Sequence, residues 1–344
     1  MTARQVLSNL QDRVRQVVGY QRISDTIDDE EEIAHFTSWE SCCKILDPEP
    51  RPKGKKVGAI ALWAGEANCL NDPLEGKALL LFVQETSQMV TDLPSYVTGK
   101  YGRHPAPVDR QPDYDQVDQP HVEMTTWLDL RSILRNIYGP PENFVPDLPV
   151  SGPITASNAY LVSFCREADR LDLWRAYGGN AADGVSLVMP LREAIKRVTN
   201  AWSFYRVAYD DRSKARAWAV LYEPLKRAFD YGMTVGLPRD KWLASIRKIL
   251  SPVLFLFKHG EYRSEREVRL MHSFSRVGHA EVNPNGRGTF IRTDEFFLDS
   301  PRCRLILGPT CEKPKRKAAV LQTYLAERFG KRAPTVQRSA VPFQ

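Results

Sequence analysis

The stretch "YRSEREVRL" (residues 262–270) sets Glu265, Glu267 and Arg269 at alternate positions, with Val268 and Leu270 in the slots between. Alternation with a period of two spells a strand that buries one face. Its charged face has two readings. It is either a wet antiparallel edge with a Glu–Arg ladder, or a face turned toward a substrate. Two carboxylates this close repel each other and raise one pKa unless a cation stands beside them, and Arg269 and Lys258 are at hand.

Outward from this strand, residues 3–20 repeat apolar side chains at helical spacing through Val6, Leu10, Val14, Val17 and Val18. Ile33–Phe36 reads as a short strand and Ser38–Leu46 as a helix, with Thr37 and Glu40 matching a capping box. "VGAIALWAGEANCL" supplies an apolar strand, and "NDPLE" (71–75) opens a helix with Asp72 as cap and Pro73 in the first turn. Residues 97–121 form a proline-rich loop, and the following helix stops at Gly139-Pro140-Pro141. Tyr160–Phe164 and Gly184–Met189 read as strands around a short helix, Leu171–Tyr177. Residues 191–206, 212–233 and 238–250 read as helices, and two more strands and a last helix precede a basic tail read as loose from Gly330. Strands and helices mix without regular βα alternation, so the fold class expected is α+β rather than a doubly wound sheet. The domains expected are an N-terminal helix over 1–30, an α+β core over 31–310 with an insert near 97–150, and a C-terminal helix and basic tail over 311–344.

The 344 residues, 42% apolar and 26% charged, suffice for one elaborated domain or two small ones with a real core. The net charge of +6 suits an anionic ligand, a nucleic acid or merely a solvated surface. Six cysteines show no CxxC pair or His/Cys ligand spacing, which points to reduced thiols and no structural zinc. The N-terminus lacks the apolar stretch of a secretory signal, and the runs "ALLLFV" and "VLFLF" are too short to span a bilayer. A cytoplasmic protein is expected, with no membrane partner; export by a dedicated secretion machine stays open.

Four stretches in order, "HFTS" (35–38), "NDPLE" (71–75), "SFCREADRLDLWRAYGGNAADGVSL" (163–187) and "FKHGEYRSEREVRL" (257–270) followed by "LILGP" (305–309), resemble a bacterial family known as domain of unknown function 2971. The resemblance runs over roughly residues 33–310 and implies no activity. A looser resemblance is to ADP-ribosyltransferase-like domains, through the chain order of His35, Ser163 and Glu267, with Tyr177 as a stand-in for a middle aromatic. It implies two short packed antiparallel or mixed sheets, split around a ligand, with several peripheral helices. It also implies NAD as substrate, no metal, a protein or nucleic-acid acceptor, and a role as toxin, effector or antiviral defence protein.

Cleaving the nicotinamide–ribose bond builds positive charge on the sugar, as in glycoside hydrolysis, and a rigid carboxylate stabilises it. Under that resemblance Glu267 carries the charge stabilisation and Glu265 assists, as the catalytic residues. His35, Thr37, Ser163, Trp174, Tyr177 and Arg269 bind the dinucleotide. Four of them have a structural alternative: capping for Thr37, a strand-end histidine for His35, core packing for Trp174 and Tyr177. The glycine-rich "GGNAADG" (178–184) is neither a dinucleotide fingerprint nor a phosphate loop and reads as a helix stop and turn. The rival reading is a nucleic-acid binder or metal-dependent nuclease. It would use the basic helices of 191–250 with interleaved Trp202, Tyr205, Trp218 and Tyr222, and an acidic cluster of Asp72, Glu75, Glu265 and Glu267.

Overall fold

The computed structural model describes all residues except 24–26, 29, 48–58, 67–75, 93–123, 140–159, 179–181, 199–200, 273–280, 283–288, 299 and 343–344. Asn71, Asp72 and Glu75, and the proline-rich loop of 97–121, therefore lie outside the described residues. The chain forms two compact units, one drawn from Met1–Tyr20, Asp72–Leu148 and Ala208–Gly260, the other from Gln21–Asn71, Pro149–Val207 and Glu261–Gln344.

The first unit is helical. Its elements are α1 (Ala3–Gln21), α3 (Ala78–Asp92), α4 (Met124–Tyr138), α7 (Asp211–Thr234) and α8 (Arg239–Leu254). The five apolar residues predicted for the first helix are all buried. Gly139, with φ 81°, ends α4 where the sequence placed the stop. Indole N–H groups tie the helices together: Trp218 donates to the Leu79 carbonyl at 3.0 Å and Trp242 to the Ala228 carbonyl at 2.8 Å. A Cβ at Gly232 would collide with the Trp242 ring, so glycine is what lets α7 and α8 approach there.

The second unit is a mixed sheet with helices around it, which makes the fold α+β. Its strands are β1 (Glu32–Thr37), β2 (Ala59–Glu66), β3 (Tyr160–Cys165), β4 (Val185–Pro190), β5 (Trp202–Arg206), β6 (Glu267–His272), β7 (Glu281–Val282), β8 (Thr289–Phe297), β9 (Arg304–Leu307) and β10 (Thr335–Arg338). Its helices are α2 (Trp39–Leu46), α5 (Leu171–Tyr177), α6 (Leu191–Arg197) and α9 (Pro314–Phe329). Among the described residues the strands run β10-β9-β4-β1-β3-β2-β8-β7, with β6 and β5 joined through β3. Among the described strand pairs, only β10 and β9 are parallel.

The sheet divides at β3. Cys165 pairs with Ala34 of β1 on one side and Glu267 of β6 on the other; Leu161 pairs with Gly65 of β2 and Met271 of β6. One edge of β3 is thus filled along its length by β6. The other is shared, β2 taking its start and β1 its end. In place of the two packed sheets expected, the described strands form one ten-stranded sheet that branches at β3.

Residues paired across a ladder point to the same face. Ile33, Leu62, Val162, Phe164, Phe204 and Leu270 lie in the larger core, with Ile45 of α2 and Leu325 of α9. Ala34, Phe36, Cys165, Leu173, Trp174, Val188 and Ile306 form a second core on the opposite face.

Two sequence assignments change here. Residues 202–206, read as helix, form β5, because Trp202 and Phe204 alternate into the larger core. The tail read as loose supplies β10, and Ser339 continues it by donating its N–H to the Leu307 carbonyl at 2.8 Å.

Candidate functional site

The strand that opened the sequence reading is shorter than its alternation suggested. Gly260–Glu265 forms a 3-10 turn, Arg266 takes a left-handed backbone with φ 44°, and β6 starts only at Glu267. Glu265 therefore does not share a strand face with Glu267 and Arg269, and the expected row of three charges is two residues long. Both faces of the strand are buried from Glu267 to Met271, so it is not a wet edge.

Glu267 and Arg269 grip each other. Arg269 Nε donates to Glu267 Oε1 at 2.7 Å and Nη2 to Oε2 at 2.9 Å, with the side chains 0% and 3% exposed. This forked geometry is the strongest form of the pair, and it offsets the cost of removing both charges from water. Ser163 faces Arg269 from β3 and Tyr205 from β5. Glu265 is also buried, and its Oε1 accepts the Tyr177 hydroxyl at 2.7 Å. Tyr177 stands at the end of α5 and is 42% exposed, so it bridges a buried carboxylate to the surface. Beside the two glutamates stand a guanidinium, on Glu267, and a tyrosine hydroxyl, on Glu265.

The turn before Glu265 is braced from the loop ahead of α5. Arg170 donates to the Ser264 carbonyl at 2.8 Å and pairs with Asp172 at 2.6 Å and Glu167 at 3.3 Å. Asp169 beside it accepts three hydrogen bonds, from Trp174 Nε1 at 2.7 Å, Ser339 Oγ at 2.6 Å and the Ala340 N–H at 2.8 Å. It fastens the C-terminal segment to the helix that carries Tyr177. Sequence reasoning passed over Asp169, whose only signal is its place in an acidic-basic run before a helix.

His35 is elsewhere. Its neighbours in β1, Ala34 and Phe36, lie in the core on the Glu267 side, so its imidazole projects to the other face, where it meets Phe164 with ring centroids 5.6 Å apart. Its Nδ1 lies 3.0 Å from the Ser163 carbonyl, which can only accept, so Nδ1 carries the proton. Burial pulls this imidazole below the usual histidine range, and the hydrogen bond to Ser163 works against that pull. The ring serves a backbone oxygen at the division of the sheet. The expectation that His35 and Glu267 flank one ligand does not match their opposite faces.

Thr37 is buried at the end of β1, and the cap of α2 is Ser38, whose Oγ accepts the Ser41 N–H at 3.1 Å; Glu40 pairs with Lys44 instead. Trp174 is fully buried against Phe36, edge to face at 4.8 Å, so it packs the core and offers no surface for stacking. Gly184 answers to close backbone approach: a Cβ there would strike the carbonyl oxygens of Gly178 and Thr37.

Several residues named for the nucleic-acid reading take part in packing. Trp202, Tyr205 and Trp218 are buried, so they are not open platforms for bases. Lys214 is buried beside Asp211, Arg216 lies over the Tyr20 ring at 4.8 Å, and Lys226 pairs with Asp129 at 2.9 Å. Of the acidic cluster, Asp72 and Glu75 lie outside the described residues, and among the described residues no three His, Cys, Asp or Glu side chains converge as ligands for a metal. The described cysteines are free thiols, and among the described residues no helix is long and apolar enough to cross a membrane.

No curated protein and no solved structure matches the chain. The segment from Leu173 to Leu270, which runs from the helix of Tyr177 to the Glu267–Arg269 pair, does match a family model, that of the family described as Protein of unknown function (DUF2971), which the ordered motifs also resemble.

Proposed function

We propose that this protein cleaves the bond between nicotinamide and ribose in NAD and passes ADP-ribose to a macromolecular acceptor or to water. The observation that carries the reading is a pair of buried carboxylates, Glu265 and Glu267, at the head of one strand where the sheet divides. A fixed anion shielded from water is what an oxocarbenium-like transition state demands, because its charge acts there through a low dielectric without reorganising.

The roles divide differently from the sequence expectation. Glu267 is held by Arg269 in a bidentate ion pair, neutral as a whole, that acts as a brace behind the site. Glu265 accepts the hydroxyl of a half-exposed tyrosine and is the group presented to the sugar. As the C1′–N bond breaks, nicotinamide leaves with the bonding electron pair as a neutral base. The cationic ribose then faces Glu265, and the acceptor adds at C1′ as it gives up a proton. Tyr177 orients Glu265, and His35 supports Ser163 from behind as a positioning residue. A toxin, effector or defence role would follow from depletion of NAD or modification of a target, and the chemistry needs no metal.

The test is nicotinamide release from NAD, with and without cell lysate, by the wild type, Glu265→Gln and Tyr177→Phe. Glu265→Gln should lower the rate about 10²–10³-fold, and Tyr177→Phe about tenfold, with melting temperatures kept. EDTA should leave the rate unchanged. A wild type that releases no nicotinamide under either condition, or a Glu265→Gln variant as fast as wild type, sinks the proposal.

A further inference from the structure

Trp63 stands out on β2. Ile60, Leu62 and Ala64 alternate into the larger core, while Trp63 points to the other face and is 39% exposed. Its indole stacks on Phe290 of β8, with ring centroids 4.8 Å apart and planes 20° from parallel. Apart from its chain neighbours, no described atom lies within 4 Å of where a Cβ at Gly65 would stand, so no described side chain fills that spot beside the indole. Arg292 is the directly paired cross-strand neighbour of Trp63 and rises from the same face.

Register relates this patch to the proposed site. Gly65 pairs with Leu161, and Leu161 with Met271, so Trp63, Gly65 and Arg292 share the face of Ser163, Arg269 and Glu267. Two residues further along the same ladder would set Trp63 opposite Ser163. The β2–β3 pairing stops at Gly65, however, and β1 takes over the edge at Cys165. The indole thus stands at the mouth of the division.

We infer that Trp63 is the platform on which a planar heteroaromatic ring of the dinucleotide stacks, with Arg292 beside it to receive the phosphates. The inference rests on the NAD reading and deepens it. An exposed indole backed by a second ring offers a flat, preorganised surface. An adjacent guanidinium selects an anionic ring-bearing ligand, a nucleotide, over an apolar segment of chain. Trp174, which the sequence suggested for this task, is sealed in the core, whereas Trp63 is open. Its sequence signal was an aromatic on the outward side of an alternating strand.

The experiment is calorimetric titration of the full chain with NAD, ADP and nicotinamide mononucleotide, in the Glu265→Gln background so that NAD is not consumed. Adding Trp63→Ala should raise the Kd for NAD about ten- to hundredfold, while Trp63→Phe stays within about threefold. Thermal melting checks that loss of the Phe290 stack has not unfolded the unit. A parallel rise for ADP places adenine on the indole, and one for nicotinamide mononucleotide places nicotinamide there; either supports the inference. An unchanged Kd for NAD in Trp63→Ala overturns it and leaves the NAD reading standing if nicotinamide is still released by the wild type. A wild type that binds NAD through Trp63 but releases no nicotinamide sinks the enzyme and keeps the platform. A chain that binds no NAD at all sinks both.

Discussion

In the helical unit, rings fill the interior and the Lys226–Asp129 pair lies partly in water. Lys226 and Asp129 meet at 2.9 Å with 37% of each side chain exposed, while Trp218 and Trp242 are enclosed. In the sheet unit the interior itself holds a guanidinium and a carboxylate, 0% and 3% exposed. An exposed pair contributes little, because water competes for both partners. A buried pair is costly to assemble and more costly to break, so its presence in a core marks a place where something other than stability is being specified. The contrast breaks most directly at Arg269. Arg269→Met leaves Glu267 buried and uncompensated and should cost about 3–5 kcal/mol in urea unfolding, whereas Glu267→Leu/Arg269→Met together should recover most of it. Lys226→Met in the helical unit should cost less than about 1 kcal/mol. Equal losses in the two units would erase the distinction.

Asp169 sharpens the comparison from within the sheet unit. Its carboxylate accepts from a buried indole, a hydroxyl and a backbone N–H. Asp169→Ala strands all three donors and should cost about 2–3 kcal/mol, with Asp169→Asn in between. Residues 339–342 should become the first site of proteolysis in the alanine variant. If the tail stays as protected as in the wild type, Asp169 does not fasten it.

How much of this could be read in advance follows the same division. The helices announced themselves because burial follows a 3.6-residue period, as Val6, Leu10, Val14 and Val17 show. The strands β3 and β4 were legible as short apolar runs. The start of β6 was not. Ser264-Glu265-Arg266-Glu267 alternates like a strand, and nothing in its side chains announces an arginine with positive φ. β5 was hidden inside a basic, aromatic stretch that suits a helix equally well. For the site, sequence named Glu265, Glu267, Arg269 and Tyr177 but not their pairing, because which carboxylate takes the guanidinium is decided by one turn of backbone. Face was equally unreadable: His35 and Glu267 belong to different strands, and only the β1–β3–β6 register shows them on opposite sides.

The units also differ in the pH at which each weakens. Burial holds His35 below its ordinary pKa in the folded state, so the unfolded chain binds the proton more readily. That contribution to stability is present above about pH 6.5 and is lost as pH falls toward the folded value. In the helical unit, burial and then the hydrogen bond to Asp129 push the Tyr222 phenol up to about 12. Its contribution is intact below about pH 10 and is lost as pH rises toward 12. His35→Asn should flatten the acid limb of the stability profile while leaving the alkaline limb. Tyr222→Phe should do the reverse, at a cost near neutral pH of about 1 kcal/mol. A single variant that flattens both limbs would show that the two groups do not act separately.

The smallest effect separates two readings of one helix start. If Thr37 and Glu40 form the cap of α2, Glu40→Ala should cost as much as a lost cap. In the structure Ser38 Oγ takes the Ser41 N–H at 3.1 Å, and Glu40 is spent on an exposed pair with Lys44. Ser38→Ala should therefore cost about 1 kcal/mol and Glu40→Ala clearly less, measured as shifts in the urea midpoint. Thr37 is buried at the end of β1, so its replacement reports packing and cannot decide the question. The pair of surface variants can, because both residues sit at the same helix end and differ only in which one satisfies a backbone donor.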